Sequence, residues 1–142
     1  MGNRAVITNK DKQIGVYLHW NGGYDSVQAF LKYCELAKFR SPDQQNYGWA
    51  RLCQVISNFF GPDGLSVGID KFENIGTWLL DNGIYIIEGW KIVGREDYEG
   101  EEQDVHSLPQ MLKAIDEQQP ADARLFTDMD LVEIEQWLKQ HN

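Results

Sequence analysis

The densest run of side chains able to do chemistry is His19-Trp20-Asn21-Gly22-Gly23-Tyr24-Asp25. An imidazole, two large rings and an amide stand around two glycines, between an alternating segment and a helical one. A strand that turns on glycines into a helix is a place where anions bind, because backbone N–H groups and the helix dipole point at the ligand. Trp20 and Tyr24 can stack a base or another ring, His19 can donate to a phosphate, and the glycines leave room for close approach. The competing reading is structural. Asp25 is placed to cap the helix, with Gln28 three residues on in the manner of a capping box, and its charge repels a phosphate. The run also lacks the third glycine and the downstream acidic residue of a dinucleotide fingerprint.

A second constellation is Asn46-Tyr47-Gly48-Trp49-Ala50-Arg51. Tyr47 and Arg51 are four apart and share a helix face, where Arg51 can meet an anion or stack on a ring. Against this stands the reading that Trp49 is core and Arg51 is surface. The candidate ligand-binding set is therefore His19, Trp20, Asn21, Tyr24, Tyr47 and Arg51. In Trp90-Lys91-Ile92-Val93-Gly94-Arg95, strand alternation puts Lys91 and Arg95 on one side, as a small basic strip or an edge guard.

No catalytic residue is assigned. The histidines are His19, His106 and His141, and none has a local nucleophile motif. Cys34 and Cys53 fall at apolar helix positions, which reads as free buried thiols of a reducing cytoplasm. No His-x-x-x-His or Cys-x-x-Cys spacing occurs, so no metal site and no cofactor is expected.

The elements that must position these residues follow from periodicity. Residues 4–8 and 14–20 form a hairpin across Asn9-Lys10-Asp11, and the second strand alternates Ile14, Val16, Leu18 and Trp20 with Gly15, Tyr17 and His19. A helix then runs from Asp25 toward Ser41-Pro42 with the stripe Val27, Phe30, Leu31 and Cys34. A second, over residues 46–60, carries Trp49, Leu52, Cys53, Ile56, Phe59 and Phe60, and stops at Gly61-Pro62-Asp63-Gly64. Leu65, Val67 and Ile69 give a third strand, residues 71–83 read as irregular, and residues 84–88 and 90–95 form a second hairpin. Two short helices close the chain, one capped by Ser107 and one by Thr127. The expected core includes Leu18, Val27, Phe30, Leu31, Trp49, Leu52, Ile56, Phe59, Ile86 and Trp137. Strands and helices are segregated, so the fold class is α+β: a small antiparallel sheet of two hairpins plus a strand, packed with about four helices. Residues 1–142 form one domain, with an acidic loop near 96–106 and a helical pair over 107–142.

At 142 residues and 42% hydrophobic composition the chain can bury a core. No apolar run is long enough for a bilayer and no signal segment is evident, so a cytoplasmic location without membrane contact is expected. The charge is lopsided. Residues 1–95 hold ten Lys/Arg and nine Asp/Glu, a net +1, whereas residues 96–142 hold three and thirteen, a net −10, giving −9 for the chain. Direct nucleic-acid binding is disfavoured by that repulsion, and a host protein with a basic surface is the expected partner, met by Glu99, Glu101, Glu102 and Asp104. A homo-oligomer is also open.

Gly2-Asn3-Arg4-Ala5-Val6-Ile7, Tyr17-Leu18-His19-Trp20-Asn21-Gly22-Gly23, Tyr47-Gly48-Trp49-Ala50-Arg51-Leu52 and Trp90-Lys91-Ile92-Val93-Gly94-Arg95 resemble a family of uncharacterised small proteins carried by phages and conjugative elements of Gram-positive bacteria. The resemblance covers roughly residues 2–119 and brings no activity or catalytic residue with it. It implies a setting, the accessory cargo of mobile DNA, in which small acidic proteins often counter host defences. Three functions stand open: docking of an acidic surface on a host protein, sequestration of a small nucleotide-like ligand at the aromatic and glycine-rich junctions, and a small hydrolase-like enzyme using His19 and a carboxylate.

Overall fold

A computed structural model describes residues 3–43, 46–61, 66–75, 81–98 and 105–141. Five strands form one sheet in the order β3-β2-β1-β4-β5. These are β1 (Ala5–Asn9), β2 (Ile14–Leu18), β3 (Val67–Lys71), β4 (Ile84–Glu88) and β5 (Lys91–Glu96). Both expected hairpins form, β1 with β2 and β4 with β5, and β3 adds to the outside of β2. The central pairing of β1 with β4 is parallel, so the sheet is mixed rather than wholly antiparallel. Each hairpin reads from its own turn. The pairing that joins the hairpins is set by packing across some eighty residues, for which the sequence offers no local signal.

The strand period divides the sheet into two faces. Ala5, Ile7, Val16, Leu18, Tyr85 and Ile87 pack under the helices in the main core. The helices are α1 (Tyr24–Leu36), α2 (Asn46–Phe60), α4 (Leu108–Glu117) and α5 (Leu131–His141). Helix α1 lies centrally, against both α2 and α4. Val6 and Ile84 face the other way and are covered by Ile75. Ile75 comes from a single turn, α3 (Phe72–Ile75), within the stretch expected to be irregular. Leu18, Val27, Phe30, Leu31, Trp49, Leu52 and Ile56 are buried as expected, while Phe59, Ile86 and Trp137 are half-buried.

Two buried aspartates tie loops to this core. Asp116 accepts from the Tyr33 hydroxyl at 2.5 Å and from the backbone N–H of Leu125 and Phe126 at 2.7 and 2.9 Å. Asp25 is not the helix cap. The N-cap is Gly23, and Asp25 sits in the first turn. Its Oδ2 accepts from Val105 and His106 N–H at 3.1 and 3.0 Å, so the carboxylate anchors the approach to α4. Ser107 does cap α4, in a reciprocal box with Gln110. Helix α5 begins at Leu131, later than a Thr127 cap implies. Asp130 and Glu133 exchange the capping bonds there, at 2.8 and 3.3 Å.

Candidate functional site

The expected ligand set divides among three places. At the end of β2, Tyr17 OH and His19 Nδ1 lie 2.9 Å apart, and Trp20 meets the His19 ring edge-on at 5.2 Å. Burial pushes the Tyr17 phenol up, so it stays a neutral hydroxyl. Among the described residues no carboxylate pairs with His19, which leaves an acid–base role without its second member. Asn21 takes a positive φ of 57°, a conformation its amide side chain tolerates, and donates to the Ser26 hydroxyl. The space beside Gly22 is filled by the protein itself. A Cβ there would come within 2.5 Å of the Asn3 carbonyl oxygen. That oxygen accepts the Gly22 N–H at 2.8 Å, and the Gly22 carbonyl accepts the Tyr85 hydroxyl at 2.8 Å. Gly22 closes the chain onto Asn3 and Ala5 at the start of β1 rather than opening a cradle.

Tyr24 lies elsewhere, in a groove of about 330 Å³ between α1 and the β4–β5 turn. Leu31, Trp90, Ile92 and Leu108 give it an apolar lining. Its charged pair, Lys32 and Glu35, is joined at 2.8 Å, so the cation and the anion largely cancel toward a visitor. Lys91 lines this groove as well, but Arg95 does not join it. Ile86 pairs with Gly94 and Ile87 with Ile92, so Val93 is an extra residue that breaks the strand alternation between the two cations. Arg95 lies over the rings of Tyr85 and Tyr98 and donates to the Asn82 carbonyl at 2.8 Å. The same-side placement of Lys91 and Arg95 therefore does not hold, and they form no basic strip.

Tyr47 and Arg51 meet at the third place, the turn between α1 and α2. They line an open cavity of about 450 Å³ with Lys38, Phe39 and Arg40. The local sequence builds this turn in a specific way. The Phe39 N–H donates to the Cys34 carbonyl at 3.1 Å and the Lys38 N–H to the Glu35 carbonyl at 3.0 Å. Those two bonds make a Schellman ending, whose left-handed position ordinarily holds glycine. Here it holds Lys38, at φ 62°. The turn is fastened from outside by the second hairpin. Trp90 Nε1 donates to the Phe39 carbonyl at 3.2 Å, and Gly89 N–H donates to Asp43 Oδ2 at 2.6 Å. Helix α2 approaches so closely that a Cβ on Gly48 would fall 2.6 Å from both the Arg40 carbonyl and the Pro42 nitrogen. The Arg40 guanidinium sits 5.4 Å from the Tyr47 ring centre, and Arg51 Nη1 donates to Gln54 Oε1 at 2.7 Å. No described carboxylate pairs with Lys38 or Arg51.

This arrangement can hold an anion by charge and a ring by stacking, on a chain whose net charge is −9. Sequence reasoning found Tyr47 and Arg51 but not Lys38, Phe39 or Arg40. The available signal was a lysine and an arginine just past a helix end, which reads equally well as favourable dipole pairing.

Compared with protein-family models, curated proteins and solved structures, the chain matches none.

The thiols offer no nucleophile. Burial pushes Cys34 well above the ordinary thiol range and Cys53 up to about 11. Among the described residues no three His, Cys, Asp or Glu side chains gather as metal ligands, and no helix is long and apolar enough to cross a membrane. Glu99, Glu101, Glu102 and Asp104, expected to meet a partner, lie outside the described residues.

Proposed function

We propose that this protein binds, without transforming it, a small anionic ligand of nucleotide type at the turn between α1 and α2. The observation that carries this reading is the gathering of Lys38, Arg40 and Arg51 with Phe39 and Tyr47 around one open cavity. Sequestration of a nucleotide signal fits the mobile-element setting implied by the resemblance. The test is calorimetry with inorganic pyrophosphate and ribose 5-phosphate. Lys38→Gly removes one charge while giving the left-handed position its favoured residue, so the fold is retained. Lys38→Gly and Arg51→Gln should each weaken binding at least tenfold, about 1.4 kcal/mol, and added salt should weaken it in the parent protein. No binding of either probe, or affinity indifferent to both substitutions, overturns the reading.

A second reading, docking on a basic host protein, is favoured by the start of α5. Leu131 and Val132 are 39% and 61% exposed there, beside the exposed carboxylates of Asp128, Asp130, Glu133 and Glu135. Lys113 also lines this surface, but the carboxylates outnumber it, and apolar anchors beside mainly one sign of charge suit a partner of opposite charge. A partner captured this way should associate more slowly as salt rises and release when Val132 becomes Glu. A complex insensitive to both removes α5 from consideration.

A further inference from the structure

A second cavity, of about 230 Å³, meets the first at Phe39 and Arg51, and it differs in chemistry. Its wall is a face of α2 closed by the Pro120 turn, with Gln54 and Asn58 one helical turn apart. The orientation of both amides is fixed by what surrounds them. Gln119 reaches the Val55 and Ile115 carbonyls at 3.2 and 3.1 Å, and since carbonyls only accept, its Nε2 must point there. Its Oε1 is thereby left to accept from Asn58 Nδ2 at 2.9 Å, which leaves Asn58 Oδ1 as an acceptor. Arg51 only donates, so Gln54 faces it with Oε1 and keeps its Nε2 as a donor. Neither Asn58 Oδ1 nor Gln54 Nε2 makes a hydrogen bond with another described residue.

Resting on the anion-binding reading above, we infer that this cleft is the base subsite of the same ligand. It takes a nucleobase that presents a hydrogen-bond donor beside an acceptor, while the phosphate lies among Lys38, Arg40 and Arg51. One acceptor and one donor on adjacent turns match the amidine or amide edge of a nucleobase, the kind of edge that Asn and Gln side chains read elsewhere. Arg51 stands at the boundary, where the sugar would join the two parts. The cavities, about 450 and about 230 Å³, bring the site into the size range of small-molecule pockets, ~300–1,000 Å³. A charged compartment beside an uncharged one of matched polarity also explains why one end of the site gathers cations and the other gathers amides.

The experiment compares ribose 5-phosphate with the four common ribonucleoside monophosphates by calorimetry. The parent protein and Gln54→Ala are measured; Gln54 is exposed, so its truncation leaves the core intact. At least one nucleotide should bind tenfold or more tightly than ribose 5-phosphate. Because Gln54 also holds Arg51, ribose 5-phosphate is measured on both proteins as the reference, and Gln54→Ala should reduce the ratio of nucleotide to ribose 5-phosphate affinity at least fivefold. If every nucleotide binds no better than ribose 5-phosphate, or the advantage survives Gln54→Ala, the base subsite is overturned while the anion site stands. If ribose 5-phosphate and the nucleotides all fail to bind, both fall together.

Discussion

The strand-to-helix junction at residues 19–25 and the helix-to-helix turn at residues 37–48 use special backbone positions in opposite ways. The junction holds glycine where nothing larger fits: the Gly22 Cβ site is already occupied by the Asn3 carbonyl. The turn holds lysine where glycine would fit better, at the left-handed position of the α1 ending. The first choice is what close packing demands. The second keeps a charged side chain in a strained conformation, as Lys12, Asp97 and Asp128 do elsewhere, so here the strain counts together with the cations gathered around it. The difference shifts the weight of a functional reading from the run richest in aromatic and glycine residues to a plainer one.

The contrast can be broken most directly at Gly22. Gly22→Ala should destabilise the protein by ~1–3 kcal/mol, the usual cost of forcing extra volume into a packed site, and thermal melting should fall by several degrees. An unchanged melting temperature would show that the junction has room and revive it as a ligand cradle. Lys38→Gly, already the variant for the binding test, supplies the mirror image. It should raise stability by up to ~1 kcal/mol, because a Cβ in the left-handed region costs ~1–2 kcal/mol and glycine's extra chain entropy offsets part of that. A loss of stability would mean that the Lys38 side chain holds the turn together, and the contrast would lose its second half. On ligand binding the smallest effect is expected for His19→Ala. The hydrogen bond to Tyr17 is worth ~0.5–1.5 kcal/mol, and the substitution should leave pyrophosphate and ribose 5-phosphate affinity unchanged. Reduced affinity in a folded His19→Ala protein would bring the two regions into one site.

Much of this was legible in the residues. Period-two and period-3.6 patterns placed all five strands and the four longer helices, and Ser107 announced the start of α4. What was not legible depended on contacts far apart in sequence. Asp25 looks like a helix cap because caps are local, yet its carboxylate is taken by Val105 and His106. Lys91 and Arg95 look like neighbours because strand alternation is local, yet the register against β4 inserts Val93 as an extra residue. For the candidate site, Tyr47 and Arg51 could be paired from helix spacing alone. Lys38, Phe39 and Arg40 precede them by a loop whose course depends on the close approach of Gly48, so their convergence became visible only in three dimensions.

The parallel pairing at the centre of the sheet also orders the making of the protein in time. Strand β1 meets β2 across a short turn, but its other edge waits for β4, whose register begins at Val6 against Ile84. During synthesis the first hairpin and both long helices emerge while that edge is still an open row of donors and acceptors. Closing the central pair also means closing a loop of nearly eighty residues, an entropic toll that grows only slowly with length but falls due all at once. Until β4 has been synthesised, the strand destined for the middle of the sheet has no partner on that edge.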